Sequence, residues 1–302
     1  MAKPLLGMRI LVCGKGGSGK STIVTLMAQV LSDKGYMVHV VDGDASNIGL
    51  YQMLGFDKAP EPLINYFGGK TFKDEEGKVT CPVDDPTPLD RDEMHLKKIP
   101  PKYFGRKDNI TLFAVGKIKG IYEGCHGPES KVTRDFVLPG EQVTLIDIEA
   151  GIEHFGRGIE INADAVITVV DPTYTSFQIA ESVEKMVAEM KVGAAKLAEK
   201  MVEKLGSDVE TAREATENLR IKYALTVLNK VDSPKMESLM RERLKERGIE
   251  PLGSVRYDSE GSRSFLEGIP LKGNVAEKDV EEIVNRMERL MRKTLRSSPL
   301  VS

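Results

Sequence analysis

Residues 13–22 read CGKGGSGKST, four glycines and two lysines directly after the apolar run Met8-Arg9-Ile10-Leu11-Val12. Gly14-Lys15-Gly16-Gly17-Ser18-Gly19-Lys20-Ser21 fits the phosphate-loop pattern G-x-x-x-x-G-K-[ST]. Polyphosphate asks for many backbone N–H groups converging on it. Glycines permit the dihedrals and the close approach, and a helix beginning at Ser21 and Thr22 adds its positive end. In this pattern Lys20 reaches the β- and γ-phosphates, and the Ser21 hydroxyl ligates Mg²⁺. Three further stretches place polar groups at the ends of apolar runs. Val41-Asp42-Gly43-Asp44 offers carboxylates that can hold a metal through water or orient an attacking water. Leu145-Ile146-Asp147-Ile148-Glu149-Ala150-Gly151 has the form in which Asp147 accepts from magnesium's waters and Gly151 lets the backbone sense the γ-phosphate. Asn229-Lys230-Val231-Asp232 is suited to a purine base, the amide at the ring edge and the lysine stem over one face. Adenine and guanine both remain open, because Asp232 completes N-K-x-D, whose carboxylate would take guanine's donor pair. Tyr257 and Asp258 are placed to close the base pocket.

These groups need a scaffold that brings strand ends together. Near-continuous apolar runs at 10–12, 38–41, 111–115, 143–148, 165–170, 224–228 and 252–255 predict strands buried on both faces. Helical patterns at 21–34, 176–190, 235–247 and 276–295 alternate with them. The expected fold is α/β in three layers, a mostly parallel β-sheet flanked by helices, as one domain over 1–302. Two stretches break the rhythm. Residues 57–108 are polar and proline-rich and predict a surface subregion with a hairpin around 72–81. In 179–219, apolar residues from Ile179 to Leu205 recur at helical steps, and Ser207 with Glu210 forms a capping box. Together they predict an added helical hairpin.

Composition narrows the function classes. With 43 basic and 46 acidic residues well mixed, the net charge of −3 advertises neither nucleic acid nor anionic membrane as the main partner. Three cysteines, Cys13, Cys81 and Cys125, form no regular framework, which fits a reducing compartment and a cytoplasmic location. No apolar run approaches the roughly 18 residues of a membrane span.

Lys15, early in the loop, makes the motif K-G-G-x-G-K-[ST]. With it the chain resembles the deviant P-loop ATPases, which include the MinD/ParA proteins, the nitrogenase iron protein and metal-insertion ATPases. The resemblance implies a homodimer in the ATP state, two subunits facing across two nucleotides, with Lys15 neutralising phosphate charge in the partner's site as an arginine finger does. It implies that Asp44, in the first switch, positions the attacking water and that Asp42 supports the metal shell. It also leans the nucleotide towards ATP.

Residues 147–157, DIEAGIEHFGR, together with Val115-Gly116-Lys117-Ile118-Lys119 and Glu123-Gly124-Cys125, are similar to the CooC-type ATPases that insert nickel into carbon monoxide dehydrogenase. That resemblance implies a client metalloenzyme. The chain departs from it at Cys125-His126-Gly127, where the family has Cys-x-Cys. Two Cys125 and two His126 across a dimer could still offer nickel or zinc an S₂N₂ set, against a plain packing role for Cys125. His154 lies where the iron protein has a cluster cysteine and reads as a hydrogen-bonding residue of the second switch. Cys81 and Cys13 read as structural thiols, Cys13 buried. The alternative is a MinD/ParA-like positioning ATPase acting on membrane or DNA. Its membrane form would use the stripe Val280, Ile283, Val284, Met287, Leu290, Met291 and Leu295 of the C-terminal helix, a stripe that equally suits packing on the sheet.

Overall fold

The computed structural model describes residues 3–47, 49–67, 72–73, 79–80, 94–117, 127–191, 193–205, 209–217, 219–271 and 275–297. The first half runs β1 (Arg9–Gly14), α1 (Lys20–Asp33), β2 (Val38–Asp42), α2 (Leu50–Met53), α3 (Leu63–Tyr66), β3 (Phe72–Lys73), β4 (Val79–Thr80), β5 (Gly105–Lys107), β6 (Ile110–Ala114), α4 (Gly127–Asp135) and β7 (Val143–Asp147). After two 3₁₀ turns it continues with β8 (Ala165–Val170), α5 (Tyr174–Met190), α6 (Ala194–Leu205), α7 (Val209–Glu217), β9 (Tyr223–Val231), α8 (Pro234–Lys245), β10 (Gly253–Arg256), α9 (Ser259–Glu267) and α10 (Val275–Ser297).

Eight strands form one sheet in the order β10-β9-β8-β1-β7-β2-β6-β5, parallel except where β5 pairs antiparallel with β6. The seven apolar runs are the seven parallel strands. The runs are continuous because both faces of the sheet are covered, so each strand sends alternate residues into different cores. From β1, Ile10 and Val12 enter the layer formed with α1 and α10, while Leu11 and Cys13 enter the opposite layer with Phe113, Val132 and Phe136. The edge strand β5, Gly-Arg-Lys, was not foreseeable as an apolar run. It is short and charged, as exposed sheet edges usually are.

The hairpin expected around 72–81 is present as β3 and β4, with Phe72 opposite Thr80 and Lys73 opposite Val79. The proline-rich subregion is not wholly superficial, because Leu63, Ile64, Met94, Ile99 and Tyr103 are buried and all but Ile64 join the second core. The segment after β8 holds α5, whose Val183 and Val187 are buried in that core. Beyond it α6 and α7 pack on one another, and Lys200 reaches back to Glu189 at 2.6 Å. Ser207 of the expected capping box lies outside the described residues.

The C-terminal stripe has a partner. Val280, Ile283, Val284 and Met287 are 0–2% exposed in the core shared with α1, and Ile283 lies against Gly253 of β10. Among the described residues no helix is long and apolar enough to cross a membrane. Because Met287 is sealed in this core, Met287→Ala should lower the free energy of unfolding in urea by about 2–5 kcal/mol. A stripe left free for a bilayer would give almost no loss.

Candidate nucleotide site

Parallel strands all end on the same side, so the carboxyl edge of the sheet collects the loops that follow β1, β7, β2, β8, β6 and β9. Because β1 separates β7 from β8, the first loop opens at the point where the strand order turns, the usual place for a ligand in such sheets. The loop 15–19 joins the end of β1 to α1, and the N-terminus of α1 points into it. Gly14 has φ +142°, and a Cβ there would stand 2.5 Å from the carbonyl of Val169, so only glycine fits. Ser18 is fully buried, and its hydroxyl has no partner. Lys20 is buried at 7% exposure. Gly16 lies beside Ala150, and Thr22 is half-buried in the first turn of α1.

The strand register brings Asp42 directly beside Asp147. The Ser21 hydroxyl donates to Asp147 Oδ2 at 2.6 Å and accepts from Asn47 Nδ2 at 2.7 Å. Asp147 Oδ1 and Asp42 Oδ1 are buried without a hydrogen-bond partner. Two orphaned carboxylate oxygens beside a P-loop serine are a donor set suited to a hard, water-carrying cation. Burial pushes the Asp147 carboxyl up to about 6, against the opposing pull of Ser21 and Lys20. Burial likewise pushes Asp42 up to about 7, although Lys117 pulls it down. Asp44 is also buried. Its Oδ1 is occupied by Ser46 N (2.9 Å), Ser46 Oγ (2.6 Å) and Asn47 N (3.2 Å), which folds the loop into a tight turn.

Lys117 was quoted in the sequence only as part of a resemblance, and Asn47 was not singled out. In the structure Lys117 Nζ lies 2.8 Å from Asp42 Oδ2, donates to the Asp44 carbonyl at 2.6 Å, and also donates to the carbonyl of Asn47. It therefore fastens the loop after β2 to the end of β6. The available signal is a lysine just beyond an apolar run, since such a charge needs a partner when it is enclosed. Lys117→Met should cost about 3–5 kcal/mol of stability in urea titrations, because it strands a buried carboxylate. Asp42→Asn/Lys117→Met should recover much of that loss.

Lys15 pairs with a carboxylate beyond its own loop. Its Nζ is 3.2 Å from Asp171 Oδ2, just beyond β8, and its side chain is 30% exposed. Asp171 also accepts from Thr173 Oγ1 at 2.6 Å and from Ser176 Oγ. Burial alone would raise this carboxyl, but the hydrogen bonds from Ser176, Thr173 and Lys15 outweigh it and hold it below its ordinary value.

Asn229 and Lys230 sit at the end of β9, next to the loop. Asn229 Nδ2 donates to the Ser18 carbonyl at 2.8 Å, and Lys230, with φ +58°, donates to the Gly17 carbonyl at 2.6 Å. Both side chains thus brace the phosphate loop here, a contact the base-holding expectation did not include. Asp232 Oδ1 accepts from Ser233 Oγ. Tyr257 is 54% exposed beside α9, and Asp258 Oδ1 accepts from Glu260 N and Gly261 N in the first turn of that helix. Cys125, His126 and Cys81 lie outside the described residues, among which no group of three or more His, Cys, Asp or Glu could hold a metal ion. Cys13 is buried, with Sγ 3.5 Å from Thr168 Oγ1.

The segment after β7 closes on the phosphate loop. Gly151, at φ +100°, donates its N–H to the Gly14 carbonyl at 3.2 Å. Buried His154 holds Glu160 Oε1 through Nδ1, and its Nε2 lies 3.1 Å from the Gly151 carbonyl. Burial lowers the His154 pKa, but hydrogen bonds to Cys13 and Glu160 more than reverse this and raise it to about 10. Glu149, Glu153, Arg157 and Glu129 line the adjoining cavity. A folded value above the free value of about 6.5 makes this contribution complete below pH 6.5 and lost as pH rises through about 10. The unfolding free energy of the parent chain should therefore fall over that window relative to His154→Gln/Glu160→Gln. Paired urea titrations at several pH values measure the difference.

A P-loop opening the first helix of a parallel sheet, with two buried aspartates on neighbouring strand ends, defines the P-loop nucleotide-binding class. The model of the CobQ/CobB/MinD/ParA nucleotide binding domain matches residues 10–271, and the chain belongs to that family. An uncharacterized ATP-binding protein of Methanocaldococcus jannaschii is 34% identical over 92% of this chain and 100% of its own length. The carbon monoxide dehydrogenase accessory protein CooC of Rhodospirillum rubrum is 31% identical over 61% of this chain and 71% of its own. Among solved structures, MinD of Pyrococcus horikoshii, complexed with Mg-ADP, superposes with a TM-score of 0.59 at 15% identity, over 94% of this chain and 96% of that one. A ParA family ATPase of Chlorobium tepidum gives 0.58 at 15%, over 92% and 98%. The expected fold and family are thus those observed.

Proposed function

We propose that the protein is a Mg²⁺-dependent ATPase that works as a dimeric switch in the maturation of a metalloenzyme. The observation that carries this reading is the placement of Lys15, in the phosphate loop yet paired with Asp171 beyond β8 and partly open to solvent. A cation so exposed is accessible to a second subunit. ATP is favoured over GTP by the relative named an ATP-binding protein, and the accessory role by the likeness to CooC. Ser21, Asp147 and Asp42 would hold Mg²⁺, directly or through water, and the ion would supply charge neutralisation on the β- and γ-phosphates. Backbone N–H groups of 14–22 and Lys20 bind the phosphates. Asp44 orients the attacking water, and Lys15 of the second subunit stabilises charge developing at the γ-phosphate. Asn229, Lys230, Tyr257 and Asp258 form the side that receives the base.

The cargo is a divalent transition ion such as nickel or zinc. This reading rests on the sequence around Cys125, and a cytoplasmic client enzyme would receive the ion. Burial of the α10 stripe in the core argues against the membrane form of a positioning ATPase.

Equilibrium binding, sedimentation and phosphate release on three variants test the switch. Lys20→Ala should weaken ATP binding by about a hundredfold, since a charge-assisted contact to phosphate is lost from an enclosed site. Lys15→Ala should bind ATP nearly normally yet fail to associate or hydrolyse. Asp171→Asn, which frees Lys15, should associate more readily than the parent. Parent-like association and hydrolysis by Lys15→Ala would sink the dimeric reading.

A further inference from the structure

The second switch carries a device that the proposed phosphate chemistry does not itself require. His154 and Glu160 are 5% and 0% exposed, and Glu160 Oε2 has no hydrogen-bond partner. An enclosed imidazole–carboxylate pair is costly to bury and is weak as a simple stabiliser. Its geometry gives it another use. One ring nitrogen is anchored on Glu160, and the other meets the Gly151 carbonyl. The N–H of that same residue is spent on Gly14, the last residue of β1 and the first of the phosphate loop. Gly151 sits at φ +100°, a backbone conformation that favours glycine. A cavity of about 20 Å³ bordered by Gly43, Ala150, His154 and Arg157 adjoins the pair, enough for one water.

An N–H turned to Gly14 is not available to a terminal phosphate. A triphosphate would have to draw it away from the Gly14 carbonyl, and the 150–151 peptide that carries this N–H would have to rotate while the next peptide stays anchored through the Gly151 carbonyl. A diphosphate would leave the contact alone. We propose that His154 and Glu160 are the positioning pair through which the chain distinguishes nucleoside triphosphate from diphosphate. They hold the Gly151 carbonyl so that its N–H can exchange between Gly14 and a γ-phosphate. The inference rests on the nucleotide-binding reading above. A purely structural role, fastening the 3₁₀ turns Phe155–Arg157 and Ile159–Asn162 to the sheet, would affect both nucleotides alike.

The test is calorimetric titration of the whole chain with Mg-ADP and with Mg²⁺ and a non-hydrolysable ATP analogue, for the parent, Glu160→Gln and His154→Gln/Glu160→Gln. The double variant removes both charges while keeping amide donors, so a stranded buried carboxylate does not unfold it; a thermal melt checks this. The inference expects the ratio of analogue affinity to ADP affinity to change by about tenfold or more in both variants, with ADP affinity within about twofold of the parent. An unchanged ratio overturns it, as does an equal loss for both nucleotides. If the parent binds neither nucleotide, the nucleotide reading falls and the inference falls with it. That result is distinct from a parent that binds both and variants that keep its ratio.

Discussion

The whole edge of the sheet is organised by one electrostatic constraint. Parallel pairing of β2 with β7 sets Asp42 against Asp147, and burial leaves both with little water. Neighbouring carboxylates in such a place are tolerated only when cations and hydrogen-bond donors surround them. The structure supplies Lys117 to Asp42 and Ser21 to Asp147, with Lys20 near enough to act on Asp147's charge. Lys117 comes from the end of β6 and Ser21 and Lys20 from the start of α1, so satisfying the carboxylates also ties the phosphate loop, the loop after β2 and the end of β6 together. What remains unsatisfied is one oxygen on each aspartate. That residue of unmet demand is the sense in which the fold is prepared for a bound cation.

Legibility followed how locally each feature is encoded. Strands buried on both faces announce themselves as apolar runs, and the phosphate loop is a contiguous motif whose glycines are dictated by dihedrals at positions such as Gly14. Helix α10 was readable too, but its apolar face alone could not say whether sheet or bilayer would cover it. The packing of Ile283 on Gly253 answers that. Charged edge strand β5 carries no hydrophobic pattern, and short helices α4 and α9 have too few turns to show a period. Lys117, Asp171 and Glu160 were hidden for a different reason. Each acts through a partner far along the chain or across a turn: Lys117 through Asp42, Asp171 through Lys15, Glu160 through His154. Residue type and spacing do not encode such pairs without the register of the sheet.

The Asn229-Lys230 contacts give this motif a part in the phosphate loop itself. Both lie at the carboxyl edge near the loop, where a base would be approached, yet their donors are taken by the carbonyls of Ser18 and Gly17. Occupying those carbonyls fixes two peptides of the phosphate loop before any ligand arrives. A loop built from Gly14, Gly16, Gly17 and Gly19 has large conformational freedom to lose, and bracing it beforehand lowers the entropy lost when ligand binds.

Several groups assigned to ligand are engaged internally in the present structure. Gly151 N–H is on Gly14, Lys15 is on Asp171, and Ser21 Oγ is between Asp147 and Asn47. Binding would therefore exchange partners more than create them, and the net free energy would be a difference between similar contacts. A ligand shifts a conformational equilibrium only by its differential affinity for the two states. Where contacts are exchanged, the response depends on what the ligand offers beyond the resting partners. Filling the same site with groups that had no resting partner would bind nucleotide more tightly, but it would respond less to the loss of one phosphate.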